Sequence, residues 1–116
     1  MDDSTRTTVA FVAAELIAPS GAPFIFDRGR NLHVAMRGQV GAAGVDVFDF
    51  RRACRISGRP ENLFDHGRAT RLWLRVLGQG FLGFDYASAQ HLNGRWQERR
   101  VFVFDFEHGR EFEYLV

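Results

Sequence analysis

The dipeptide Phe-Asp occurs five times in this chain, at Phe26-Asp27, Phe48-Asp49, Phe64-Asp65, Phe84-Asp85 and Phe104-Asp105, and uses five of the eight Asp residues. Successive copies lie 22, 16, 20 and 20 residues apart, close to the length of two short strands with their turns. Asp27 and Asp65 read as turn residues at strand ends or in a loop, while Asp49, Asp85 and Asp105, each between two aromatics, read as lying within or at the end of strands. The pattern therefore constrains the chain toward a series of hairpins. With 116 residues, 46% of them hydrophobic, there is enough apolar material for one core.

Residues 1–6 read as a polar tail and residues 7–116 as one β-rich domain. The segment 7–18 fits either a helix, with Val9, Val12, Ala13 and Leu16 on one stripe and Thr8 as cap, or a strand. Pro19-Ser20-Gly21 ends it. Strand signals follow at 24–27, 32–37, 45–57, 69–77, 81–92, 95–106 and 110–116, with 38–44 as a Gly-rich connector and 58–68 as a loop. The expected fold is mainly β: an antiparallel meander of seven or eight strands, closed as a small barrel or folded as a sandwich, with a short helix at the N-terminus if 7–18 is not a strand.

The turns suggest a register for the C-terminal half. Asn93-Gly94 as a two-residue turn pairs Phe84 with Val103 and Gly83 with Phe104, an aromatic over a bare strand glycine. His108-Gly109 as a turn pairs Asp105 with Phe112, and Gly78-Gln79-Gly80 as a three-residue loop pairs Trp73 with Asp85. Alternation along the strands then yields two faces. Leu72, Leu74, Val76, Leu82, Phe84, Tyr86, Val101, Val103 and Tyr114 form an apolar core face. The second face mixes Trp73, Phe81, Phe102, Phe104 and Phe106 with Arg71, Arg75, Asp85, Arg100, Glu111 and Glu113, with His91 and Trp96 at its far end. In this register Asp85 and Asp105 fall on different faces, which argues against the Phe-Asp pairs being copies of one structural unit.

The second face is the candidate site. It can be covered by the N-terminal segment, form an interface, or line a cavity. Aromatic residues with Arg are the composition of interface cores. Trp73 between Arg71 and Arg75 can stack on a flat group, and Asp85 is expected to pair with Arg75 or Arg100. The candidate binding residues are Arg71, Trp73, Arg75, Asp85, Arg100, Phe102, Trp96 and His91.

Other chemistry is poorly supported. The block Arg51, Arg52, Arg55 and Arg59 has no nucleic-acid recognition motif around it and suits a solvated strand edge. His33, His66, His91 and His108 have no metal-ligand spacing, and Cys54, the one cysteine, has no His neighbour to activate it. The 38–44 segment lacks the Lys-Ser/Thr ending of a phosphate loop. All fifteen basic residues are Arg, which with the Ala- and Gly-rich usage suits a GC-rich bacterial genome, and the net charge is only +1. The acidic start is unlike a signal peptide, and Glu15 interrupts the run 9–18, too short for a membrane span.

The expectation is a cytoplasmic, non-enzymatic binding module without a cofactor. It would contact another protein or a second copy of itself, with no membrane and with nucleic acid disfavoured. The alternative is a small barrel that carries or senses an apolar or aromatic small molecule, with the same side chains lining its interior.

Overall fold

A computed structural model describes all residues, 1–116. One helix, α1 (Asp3–Ile17), precedes ten strands: β1 (Phe24–Asp27), β2 (Leu32–Gly41), β3 (Gly44–Asp49), β4 (Cys54–Arg59), β5 (Asn62–Asp65), β6 (Thr70–Leu77), β7 (Gly80–Asp85), β8 (Gln90–Gln97), β9 (Arg100–Asp105) and β10 (Arg110–Leu115). Each strand pairs antiparallel with the next, and β1 pairs with β10 through Phe26 with Leu115 and Asp27 with Tyr114. The mainly β class is as expected. The sheet is a closed barrel, with ten strands in place of seven or eight.

α1 occupies the barrel. Every residue from Thr5 to Glu15 is buried, so the helix has no solvent face, and it touches β1, β2, β6 and β9 on different sides of the wall. A helix buried all round must be small or apolar on every side, and Val9-Ala10-Phe11-Val12-Ala13-Ala14 is both. Asp2 caps it, accepting from the Thr5 amide at 2.7 Å. Residues 1–6 are therefore not a tail: they are the cap and first turn of the buried helix, and Met1 is itself buried. The inward residues of the wall, among them Ile25, Val34, Met36, Val47, Ile56, Leu63, Leu72, Leu74, Phe81, Leu92, Val101, Val103 and Tyr114, form one core with α1. Each large side chain buried there stabilises the fold by roughly 1.5–3 kcal/mol. No helix is long and apolar enough to cross a membrane.

The register differs from the expected one in ways that exchange faces. Asn93-Gly94 lies inside β8, where Gly94 faces Phe81 and Val103. A Cβ at Gly94 would overlap the Phe81 ring, so the glycine makes room for an aromatic and not for a turn. Gly83 pairs with Leu92, not with Phe104. The reversal is made by Tyr86–Ala89, and the 81–92 and 45–57 segments each divide into two strands. Trp73 pairs with Phe84, and Asp85 with Leu72; Asp105 pairs with Arg110. These shifts turn Phe81 and Asp85 inward and Leu82, Phe84 and Tyr86 outward. The 38–44 segment is mostly strand, reversing at Ala42-Ala43.

Odd-numbered strands all run the same way, so their C-terminal ends share one end of the barrel. Those ends are Asp27, Asp49, Asp65, Asp85 and Asp105.

Candidate functional site

Each of the five Asp residues closes the same four-residue loop. The Asp pairs with the residue five positions on: Asp27 with Leu32, Asp49 with Cys54, Asp65 with Thr70, Asp85 with Gln90 and Asp105 with Arg110. The residue four positions after the Asp has positive φ in every copy: Asn31, Ala53, Ala69, Ala89 and Gly109. One carboxylate oxygen accepts from loop amides, as Asp49 Oδ1 does from Arg51 and Arg52 at 2.9 and 3.2 Å. The other accepts from the side chain three positions on: Arg30 at 2.6 Å, Arg52 at 3.0 Å, Arg68 at 3.1 Å, Ser88 at 2.9 Å and, with Nδ1 as donor, His108 at 2.9 Å. The Phe-Asp pairs are thus true structural repeats, contrary to the reading from the assumed register.

Two of the arginines also join neighbouring copies. Arg52 donates to Asp65 at 2.8 Å and Arg68 to Asp85 at 2.9 and 3.2 Å. Burial opposes ionisation of Asp65, but hydrogen bonds and charge from Arg52 and Arg68 more than offset it and hold the carboxyl below the usual range. Burial likewise disfavours the Arg52 and Arg68 cations, and their Asp partners reverse this and raise both. α1 completes the ring: Thr7 donates to Asp27 at 3.2 Å and Thr8 to Asp49 at 2.9 Å. Near Asp105 the Met1 amino group and Arg6 Nε lie at 3.8 and 3.9 Å, and the Met1 amino group is paired with Glu107. Asp105, Glu107 and His108 offer ligand atoms within 4.8 Å of one another. The carboxylates are nevertheless engaged by protein donors. This ring is a scaffold of buried, hydrogen-bonded charge rather than a reactive cluster.

The outer wall is different. Arg71, Trp73 and Arg75 point outward from β6, His91 from β8, and Arg100 and Phe102 from β9. Asp85 points inward and is fully buried, and its cation is Arg68, not Arg75 or Arg100. Trp96 pairs with Val101 on the inner side and packs against the core. The sequence-derived set is thus divided, six outward and two inward. Arg71 lies over Phe64 at 5.3 Å and donates to Asn62 at 2.9 Å. Arg95 lies over Phe102 at 4.2 Å and donates to Glu111 at 2.6 Å. Arg100 sits 3.9 Å from Glu113. The 51–59 basic block is dispersed: Arg52 joins the carboxylate ring, and Arg55 pairs with Asp46 at 2.7 Å.

Outward aromatics continue around the carboxylate end. Edge-to-face pairs join Phe48 to Phe50, Phe64 to His66, Phe84 to Tyr86 and Phe104 to Phe106 at 4.8–4.9 Å. Phe50, Tyr86 and Phe106 are 53%, 57% and 50% exposed. Sequence reasoning missed this belt because it took Phe84 and Tyr86 for core. The available signal was an aromatic or His residue directly after the Asp in four of five copies.

Together these features define a closed β-barrel filled by its own N-terminal helix, with a repeated Asp loop at one end and an aromatic and Arg-rich outer wall. No protein-family model, curated protein or solved structure matches the chain.

Proposed function

We propose that the protein is a non-enzymatic binding module that engages another protein, a second copy of itself included, through the outer wall of β6–β9. The observation that carries this reading is where the aromatic side chains go. The core is completed by α1, so Trp73, Phe84, Phe102 and Phe104 are not needed inside, and the wall presents them with Arg71, Arg75 and His91. Large aromatics with Arg on a rigid surface are the groups that dominate binding energy when a partner covers them. Barrel closure leaves no open sheet edge, so recognition by side chains is favoured over addition of a strand. The carrier alternative required these side chains to line an interior, whereas they face outward and the helix fills the barrel.

The test is the double variant Trp73→Ala, Arg75→Ala. Both residues lie outside the core, so the variant is expected to keep the circular dichroism spectrum of the parent. It is expected to lose self-association measured by light scattering, or binding to a purified partner. If the mass in solution and every partner interaction were unchanged, the reading would be wrong.

A further inference from the structure

We infer that the partner of this wall is an acidic polypeptide segment carrying apolar side chains among its carboxylates, an inference that rests on the wall being the binding surface. Charge segregation carries it. Strands β4 to β9 point Arg55, Arg59, Arg71, Arg75, Arg95 and Arg100 outward and no carboxylate at all. The acids of these strands, Asp65, Asp85 and Asp105, all face inward and are fully buried. The outward strand carboxylates are Asp46 on β3 and Glu111 and Glu113 on β10. They engage Arg55, Arg95 and Arg100 at the two borders of this region. Arg71 and Arg75 on β6, and Arg59 at the end of β4, form no ion pair. Glu61, in the β4–β5 turn, and Glu15, near the end of α1 and engaged by Ser20 and Gly21, line the same depression as Arg75, and neither reaches ion-pair distance. Three uncompensated guanidinium groups favour an acidic partner, and carboxylates suit their fork geometry.

The apolar part follows from the neighbours. Arg75 pairs across the strands with Leu82, Leu77 lies two residues beyond Arg75 on the same face of β6, and both leucines are exposed. Polypeptide is favoured over single-stranded nucleic acid by the state of the rings. Bases stack on open aromatic faces. Here Arg71 lies over Phe64, Arg95 lies over Phe102, and Phe84 meets Tyr86 and His91 edge to face at 4.9 Å, which leaves Trp73 without the row of open neighbouring rings that successive bases need.

The experiment is fluorescence anisotropy with the full chain and three labelled probes: a twelve-residue peptide of alternating Glu and Leu, the same peptide with Lys for Glu, and a twelve-nucleotide oligothymidine. The acidic peptide is expected to bind, with an affinity falling about tenfold between low and high salt. Binding should fall at least about tenfold in Arg71→Glu, Arg75→Glu, whose unfolding midpoint should match the parent. Equal binding of the Lys peptide, tighter binding of oligothymidine, or affinity unchanged by the double reversal would each overturn the inference. So would failure of the acidic peptide to bind. If Trp73→Ala, Arg75→Ala still abolishes self-association or partner binding, that failure is confined to the partner's chemistry. If that variant too is without effect, the wall itself is not the binding surface.

Discussion

Arg68 holds Asp85 with two hydrogen bonds, at 2.9 and 3.2 Å, although the two residues are 17 positions apart and Arg68 already clasps Asp65 at the start of its own loop. One guanidinium thereby ties the β5–β6 loop to the β7–β8 loop. The barrel is a meander of short strands, and side-chain links of this kind fix the order of its loops at the carboxylate end.

Removing that link takes from the fully buried Asp85 the cation it is paired with, and from the buried Asp65 one of two, Arg52 remaining at 2.8 Å. Arg68→Ala is expected to destabilise the fold by about 3–5 kcal/mol. Ser88 serves only its own Asp85, so Ser88→Ala should cost about 1 kcal/mol. Urea unfolding of the two variants measures both, and similar losses would show that bridging between repeats adds nothing.

The same ring sets an acid limit. Arg52 and Arg68 depress the Asp65 carboxyl in the folded protein despite its burial. A group depressed on folding contributes stability above its unfolded pKa and loses it as pH falls through the folded value. Stability is therefore expected to be level near neutrality and to fall below about pH 4. Urea midpoints measured between pH 6 and pH 2.5 check this. A profile flat to pH 2.5 would contradict it.

Ala53, Ala69 and Ala89 have φ of 53°, 52° and 55°, a left-handed conformation that costs an L-residue about 1–2 kcal/mol. Glycine removes that cost but loses more backbone freedom on folding. Ala69→Gly is thus expected to stabilise the protein by about 0.5–1 kcal/mol, read as a higher urea midpoint.

Cys54 is buried beside Asp65, with Sγ 4.0 Å from Oδ1. Burial pushes its thiol pKa up, against the opposing charge of Arg52. The thiol is expected to react with Ellman's reagent only slowly in the native protein and rapidly in denaturant. Rapid native labelling would show that the β3–β4 loop opens readily.

The mainly β, antiparallel class was legible because the strand residues alternate and the Phe-Asp pairs recur at hairpin spacing; closure into a barrel was not, because alternation marks strands and leaves barrel and sandwich alike possible. The register was not, because the usual turn signals mislead at particular residues. Asn93-Gly94 reads as a turn, but its glycine answers to the Phe81 ring across the strand. The real reversals at residues 50–53, 66–69 and 86–89 place Ala in the left-handed position, where Gly or Asn would have announced a turn. The loops are instead enforced by the Asp carboxylate and the side chain three positions on, a pairing visible in Asp27/Arg30, Asp49/Arg52 and Asp65/Arg68 but weakened by Ser88 and His108. The expected register set Trp73 opposite Asp85, one residue away from the observed Phe84, and so put Asp85 on the mixed face when it belongs to the interior. Trp73, Arg71, Arg75 and Phe102 stay on the face opposite the core because each lies on a strand whose own alternation is unambiguous.

Site-specific photocrosslinking tests the outer wall as the binding surface most directly. A benzoylphenylalanine placed at position 82, on β7 opposite Arg75, lies on the outer wall and leaves Trp73 in place, and one at position 35 on β2 lies outside the β6–β9 region. Irradiation of cells that make the protein is expected to give a covalent adduct, to a partner or to a second copy, from position 82 and none from position 35. Adducts from position 35 alone, or from neither position, would contradict the assignment of the β6–β9 wall.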